Sequence, residues 1–174
     1  MNESLTPETP VINPPEVVSD PLKDIKAKLT DKEKESFFKA FLSDQPYTAE
    51  ETLFNGKIHV KFESLSIKAN NTIMTQIQFD RDHGEAKNTD AYVMRVIQYR
   101  VAASLIELDH KPFAKDITEE TIPTDTAKGT TYLIGRLALM SNWPVFKLGA
   151  LTDAFNKFER KLRALTEESF KENF

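Results

Sequence analysis

Cysteine is missing from the chain, and its absence removes disulfide staples, thiolate nucleophiles and cysteine-bound zinc together. Such a chain suits a reducing compartment, and cytosolic synthesis is the plain expectation. Glycine is sparse. Its five residues stand singly and supply no loop that could wrap phosphates in backbone amides, and neither a P-loop nor a GxGxxG stretch occurs. No apolar run approaches the roughly 18 residues of a membrane span. The opening MNESLTPETP has neither the basic nor the apolar region of a signal peptide. Positive charge is not in excess either: 27 acidic and 23 basic side chains give a net charge of -4 and leave no basic field for a phosphate backbone. Membrane and nucleic acid are therefore not among the expected partners.

What is present is enough for one ordinary core and a modest tail, in 174 residues. Five of the nine prolines fall within residues 1–21, among Glu, Thr, Ser and Asn and without an aromatic. That stretch is expected to be a disordered or polyproline tail. It is either a solvated leader or a short docking motif around Val11, Ile12, Val17 and Val18. Residues 22–174 then form a single helical domain with a β-hairpin. Thr30-Asp31-Lys32-Glu33 matches a capping box and predicts a helix to about Leu42, with Phe37, Phe38, Phe41 and Leu42 on its core face. Pro46 ends it. Thr52 to Phe62 reads as a hairpin, near residues 50–63, because Asn55-Gly56 supplies the two positive-φ residues of a type I′ turn. Ile58, Val60 and Phe62 should face helices, and Lys57, His59, Lys61 and Glu63 should face water.

Ser66 to Phe79 carries Ile67, Met74 and Ile77 near helical spacing, and the polar run from Asp80 to Glu85 breaks it. From Thr89 to Leu108, the stripe Tyr92, Val93, Val96, Ile97, Val101, Leu105 and Leu108 predicts the central, most buried helix. Lys111 to Asp125 reads as a long surface connection, followed by a helix over 126–142 that is apolar on several sides. Asn142-Trp143-Pro144 turns the chain, with proline in the first turn of the last helix. That helix, Pro144 to Leu165, carries Leu148, Leu151, Phe155, Phe158, Leu162 and Leu165 at spacings of 3, 4, 3, 4, 3, a coiled-coil-like seam. Burying such side chains contributes about 1.5 to 3 kcal/mol each, too large a term to leave in water. Either the helix at 126–142 covers the seam in antiparallel fashion, or a second copy or another protein does. In the second case those six residues are the partner-binding site. The expected fold class is mainly α (α+β): a small helical domain with one β-hairpin and a long C-terminal helix.

Reactive chemistry is harder to find. No two of His59, His83 and His110 are spaced i, i+4, and there is no thiolate to complete a metal site, so structural or solvated roles are expected. Asp80, Asp82 and Gly84 fail as a calcium loop, since glycine falls fifth instead of sixth and Ala91 stands at position twelve. The pairs Glu50-Glu51, Glu119-Glu120 and Glu167-Glu168 read as charge decoration. Arg100 is the exception, because it lies in the apolar stripe of the central helix, where a charge must be paired. It is either bridged to a carboxylate of a neighbouring helix or kept as an anchor for a partner's acidic group. Neither a catalytic site nor a bound cofactor is expected.

The segment FFKAFLSDQPYTAEETLFNGKIHVKFESLS, from Phe37 to Ser66, resembles the opening of small proteins of tailed bacteriophages, the tail assembly chaperones and minor virion components. The similar elements are an aromatic helix, the turn Asp44-Gln45-Pro46-Tyr47, and a Phe-Asn-Gly-Lys hairpin leading to Lys61-Phe62. Tyr99-Arg100-Val101-Ala102 in the central helix and Lys157-Phe158-Glu159 in the last are similar too. The resemblance implies a protein that binds the tape-measure protein during tail assembly, or a structural subunit of the virion, with no substrate and no cofactor. It also implies other phage proteins as partners, a possible homo-oligomer, and residence in the host cytoplasm or in the virion.

Overall fold

The computed structural model describes residues 21–117 and 131–171. Along them run α1 (Lys23–Lys26), α2 (Asp31–Leu42), β1 (Thr48–Leu53), β2 (Ile58–Glu63), α3 (Ile67–Asp82), α4 (Thr89–Ser104), β3 (Leu105–Leu108), β4 (Lys111–Pro112), α5 (Thr131–Ser141) and α6 (Val145–Lys171). This is the expected mainly helical α+β fold with a long C-terminal helix. Residues 1–20 of the Pro-rich stretch, the Glu119-Glu120 pair and positions 126–130 of the expected penultimate helix lie outside the described residues.

Local chemistry sets the helix ends. The Thr30 hydroxyl accepts from the Glu33 amide at 3.2 Å while the Glu33 carboxylate accepts from the Thr30 amide at 2.9 Å, so the capping box forms. At the other end of α2, Asp44 takes a positive φ and the Gln45 amide donates to the Ala40 carbonyl at 3.0 Å, a left-handed Schellman stop. Side chains of Ser66 and Asn88 cap α3 and α4 by accepting from Ala69 and Ala91 amides.

The sheet has the order β1-β2-β3-β4, with each neighbouring pair antiparallel. Its first turn is wider than a two-residue type I′ turn. Leu53 pairs with Ile58, and Phe54, Asn55 and Gly56 between them all take positive φ while the Lys57 amide donates to the Leu53 carbonyl at 3.1 Å. A two-residue turn with both φ positive occurs instead at Asp109-His110, between paired Leu108 and Lys111.

The expected helix from Thr89 to Leu108 stops at Ser104, and Leu105–Leu108 pairs with β2. A bulge explains how the same residues fit a strand. Leu105 lies opposite Phe62 and Leu108 opposite Val60, so the extra residue Ile106 lets two side chains three apart serve one sheet face. Part of the expected surface connection is likewise ordered into β4.

Helix α6 packs against β1, α1, α2 and α4. The helix at 126–142, expected as its antiparallel partner, packs as α5 against α4 instead. The sheet supplies the apolar cover, because Phe62 meets the rings of Phe155 and Phe158 at 5.6 and 5.7 Å. Tyr47 stacks on Phe158 at 6.3 Å and receives Phe37 edge-on at 5.7 Å. A second cluster joins Ile73 and Ile77 of α3, Tyr99 of α4, and Tyr132 and Leu133 of α5. Helix α4 is thus central, with Val101 and Ala102 in the first cluster and Tyr99 in the second. Its N-terminal half is less covered than its stripe suggests, and Val93 is exposed. In α3 the buried line is Ile73, Gln76, Ile77 and Asp80, while Ile67 and Met74 point to solvent.

Candidate functional site

The C-terminal seam lies inside the molecule. Leu151, Phe155, Phe158 and Leu165 are buried in the main core, and Leu148 and Leu162 are half-buried against it. The chain's own sheet and helices cover the six residues, so in this arrangement they offer no open partner-binding face.

Solvent-facing apolar side chains occur elsewhere. Of these four α2 residues only Phe37 is buried in the core, whereas Phe38, Phe41 and Leu42 are 44%, 65% and 67% exposed. This corrects their expected core placement, for a physical reason: the four residues span a wider arc than the single flank of α2 that meets α6. A second patch lies where the hairpin tip meets the start of α6. There Phe54 approaches Phe146 edge-on at 6.5 Å, and Phe146 and its neighbour Val145 are 69% and 88% exposed. Phe54 sits at φ 50°, where an L-residue is disfavoured by roughly 1 to 2 kcal/mol. The left-handed turn therefore holds an aromatic ring outward against its backbone preference. Exposed Lys57 follows in the turn, and the Lys147 ammonium lies 3.8 Å from the Trp143 ring centre.

Charged groups mainly tie elements together. Glu51 is no surface decoration: it is 3% exposed on the inward face of β1 and pairs with Lys157 at 2.6 Å and Lys161 at 2.9 Å. Lys161 also pairs with Glu33 at 3.1 Å, which links β1, α2 and α6. Burial alone would lower the Lys161 pKa, but hydrogen bonds to Glu51 and Glu33 outweigh it and hold the ammonium above its ordinary value. Burial would likewise raise Glu33, yet hydrogen bonds from the Thr30 amide and from Lys161 keep its carboxyl below the usual range.

Arg100 bridges to Glu159 of α6 at 2.8 Å. Arg95 pairs with Glu85 at 2.8 Å and lies 3.6 Å from Asp80. Buried Asp80 accepts from Gln76 at 2.7 Å and from the Tyr99 hydroxyl at 2.9 Å. Burial raises the Tyr99 pKa, and the adjacent Asp80 charge raises it further. Asp82, at the third position of the failed calcium loop, accepts from Gln78 at 2.8 Å.

Sequence reasoning missed Arg136. It is 8% exposed and donates to the carbonyls of Ala102 at 2.7 Å, Leu105 at 2.5 Å and Ile117 at 3.4 Å. Its guanidinium also lies 5.4 Å from the Phe113 ring centre. Two of those carbonyls mark the end of α4, where free acceptors and the negative end of the helix favour a cation. The signal was a lone arginine inside the apolar run TYLIGRLALM.

Strand pairing brings His59 and His110 together, with ring centres 4.5 Å apart. His83 stacks on Phe79 at 3.9 Å. Among the described residues no three histidine, aspartate or glutamate side chains gather to hold a metal, and no helix is long and apolar enough to cross a membrane. Comparison of the chain with protein-family models, curated proteins and solved structures found no match.

Proposed function

We propose that this protein is a non-catalytic partner-binding protein of tailed-phage assembly, a tail assembly chaperone that engages the tape-measure protein. The observation that carries the reading is the apolar surface of α2, where Phe38, Phe41 and Leu42 stand in solvent on one helix. Exposed apolar side chains contiguous along a helix are what a helical partner can cover. These residues and Phe54 all fall within the segment, Phe37 to Ser66, that resembles the phage proteins. The binding face is thus α2 with the hairpin tip, in place of the C-terminal seam, whose residues are already packed.

The test is co-expression with the tape-measure protein of the same phage genome. Phe38→Asp with Phe41→Asp should leave circular dichroism unchanged and abolish co-purification. Phe155→Asp with Phe158→Asp should unfold the chain, because two charges enter the core without partners. A complex that survives the α2 pair refutes this binding face. Presence of the protein in purified particles at fixed stoichiometry, read by mass spectrometry, replaces the chaperone with a virion component.

A further inference from the structure

We propose that in the free protein the exposed face of α2 is covered by the same face of a second copy, as an antiparallel, two-fold helix pair. The inference rests on the reading of α2 as a binding face and names its occupant before the tape-measure protein arrives. At about 100° of turn per residue, Phe38 lies at the middle of that face, with Leu42 about 40° to one side and Phe41 about 60° to the other. All three side chains are exposed.

Charge selects the occupant. Glu35 and Lys39 lie on the Leu42 flank, both exposed, and neither forms an ion pair among the described residues. A two-fold axis at Phe38 reverses the helix direction and keeps each flank against its own copy. Glu35 of one copy then stands beside Lys39 of the other, offset by about 3 Å along the helix, and the pairing occurs twice. On the other flank Phe41 meets the half-buried Lys34 of the second copy, whose methylene stem and ammonium suit an aromatic ring. The opposed helix dipoles favour the same arrangement. A partner surface of one sign would instead set a like charge against Glu35 or Lys39, whereas the face is complementary to itself. One pair of 12-residue helices buries less than a standard interface, so the dimer should dissociate at roughly 10 to 100 µM.

The test is sedimentation velocity of the full chain alone, from about 1 µM to about 1 mM, over which monomer should give way to dimer. Lys39→Glu and Glu35→Lys each set like charges across the axis, so either should weaken the dimer roughly tenfold, and the two together should restore it. Both positions are exposed, so circular dichroism should be unchanged in all three variants. Phe38→Asp with Phe41→Asp should leave a folded monomer. A wild-type chain that stays monomeric at every concentration overturns the dimer. A dimer indifferent to the charge exchange, or one that survives the phenylalanine pair, overturns this face. No tape-measure protein is present in the measurement, so each of these failures leaves co-purification to decide the functional reading separately.

Discussion

At the scale of single residues, burial separates phenylalanines that sequence alone treats as equals. Phe158 touches Phe62 and Tyr47 at the centre of the core, whereas Phe41 stands mostly in water. Phe158→Ala should therefore cost about 3 to 5 kcal/mol, while Phe41→Ala should change stability by less than about 0.5 kcal/mol. Urea denaturation of the two variants measures both. The titratable groups add a pH dependence whose sign follows from their shifts. Tyr99 is raised above its ordinary 10.0, so the unfolded chain loses that proton first, and stability falls as pH rises beyond about 10. Lys161 acts in the same direction: its raised pKa contributes stability that is present below its ordinary 10.5 and lost as pH climbs through the folded value. Glu33, held below 4.5, contributes stability above that value and loses it as pH falls through the folded one. Glu63, shifted upward by burial, works against this acid loss. Tyr99→Phe should lower the neutral plateau by about 1.5 to 3 kcal/mol, through the lost bond to Asp80, and flatten the alkaline limb. Denaturation midpoints between about pH 7 and 11 check this, and an equally steep alkaline limb in the variant would refute the assignment to Tyr99.

At the scale of elements, what the sequence made legible was whatever is enforced locally. The capping box at Thr30, the stop before Pro46 and the alternation of β2 depend on near neighbours, and each formed. The end of α4 depends on a distant partner. Leu105 and Leu108 keep helical spacing, and only the bulge at Ile106, set by pairing with β2, turns that spacing into a strand. Helix α6 was recognisable from its seam, but the seam carried no information on whether a helix or a sheet would fill it. The hairpin tip is the element whose local rule is broken, since Phe54 joins Asn55 and Gly56 at positive φ. Phe54→Asn replaces it with a residue that tolerates the left-handed region. The variant should keep or slightly raise the melting temperature while weakening the tape-measure complex. A variant that loses stability and binding in parallel would mean that the ring serves the fold alone.

At the scale of the whole molecule, α4 makes one folding unit from two clusters. It gives Val101 and Ala102 to the core under α6 and Tyr99 to the core under α3 and α5, and Arg136 fastens its last carbonyls to α5. The central place of α4 was legible in its apolar stripe, but its division between two clusters was not, because each cluster gathers residues from three or more elements, and a lone arginine in an apolar run does not announce which carbonyls it will find. The coupling has a thermodynamic consequence. Trp143 packs against the first cluster, and Leu133 is fully buried in the second. If α4 cannot unfold from one side only, a cavity at Leu133 must be felt at Trp143. Leu133→Ala should lower stability by about 2 to 5 kcal/mol. The loss should be the same when read by Trp143 fluorescence and by far-ultraviolet circular dichroism, with coincident transitions. A fluorescence midpoint left in place while the circular dichroism midpoint falls would divide the protein into two independent units and remove α4 from its joining role.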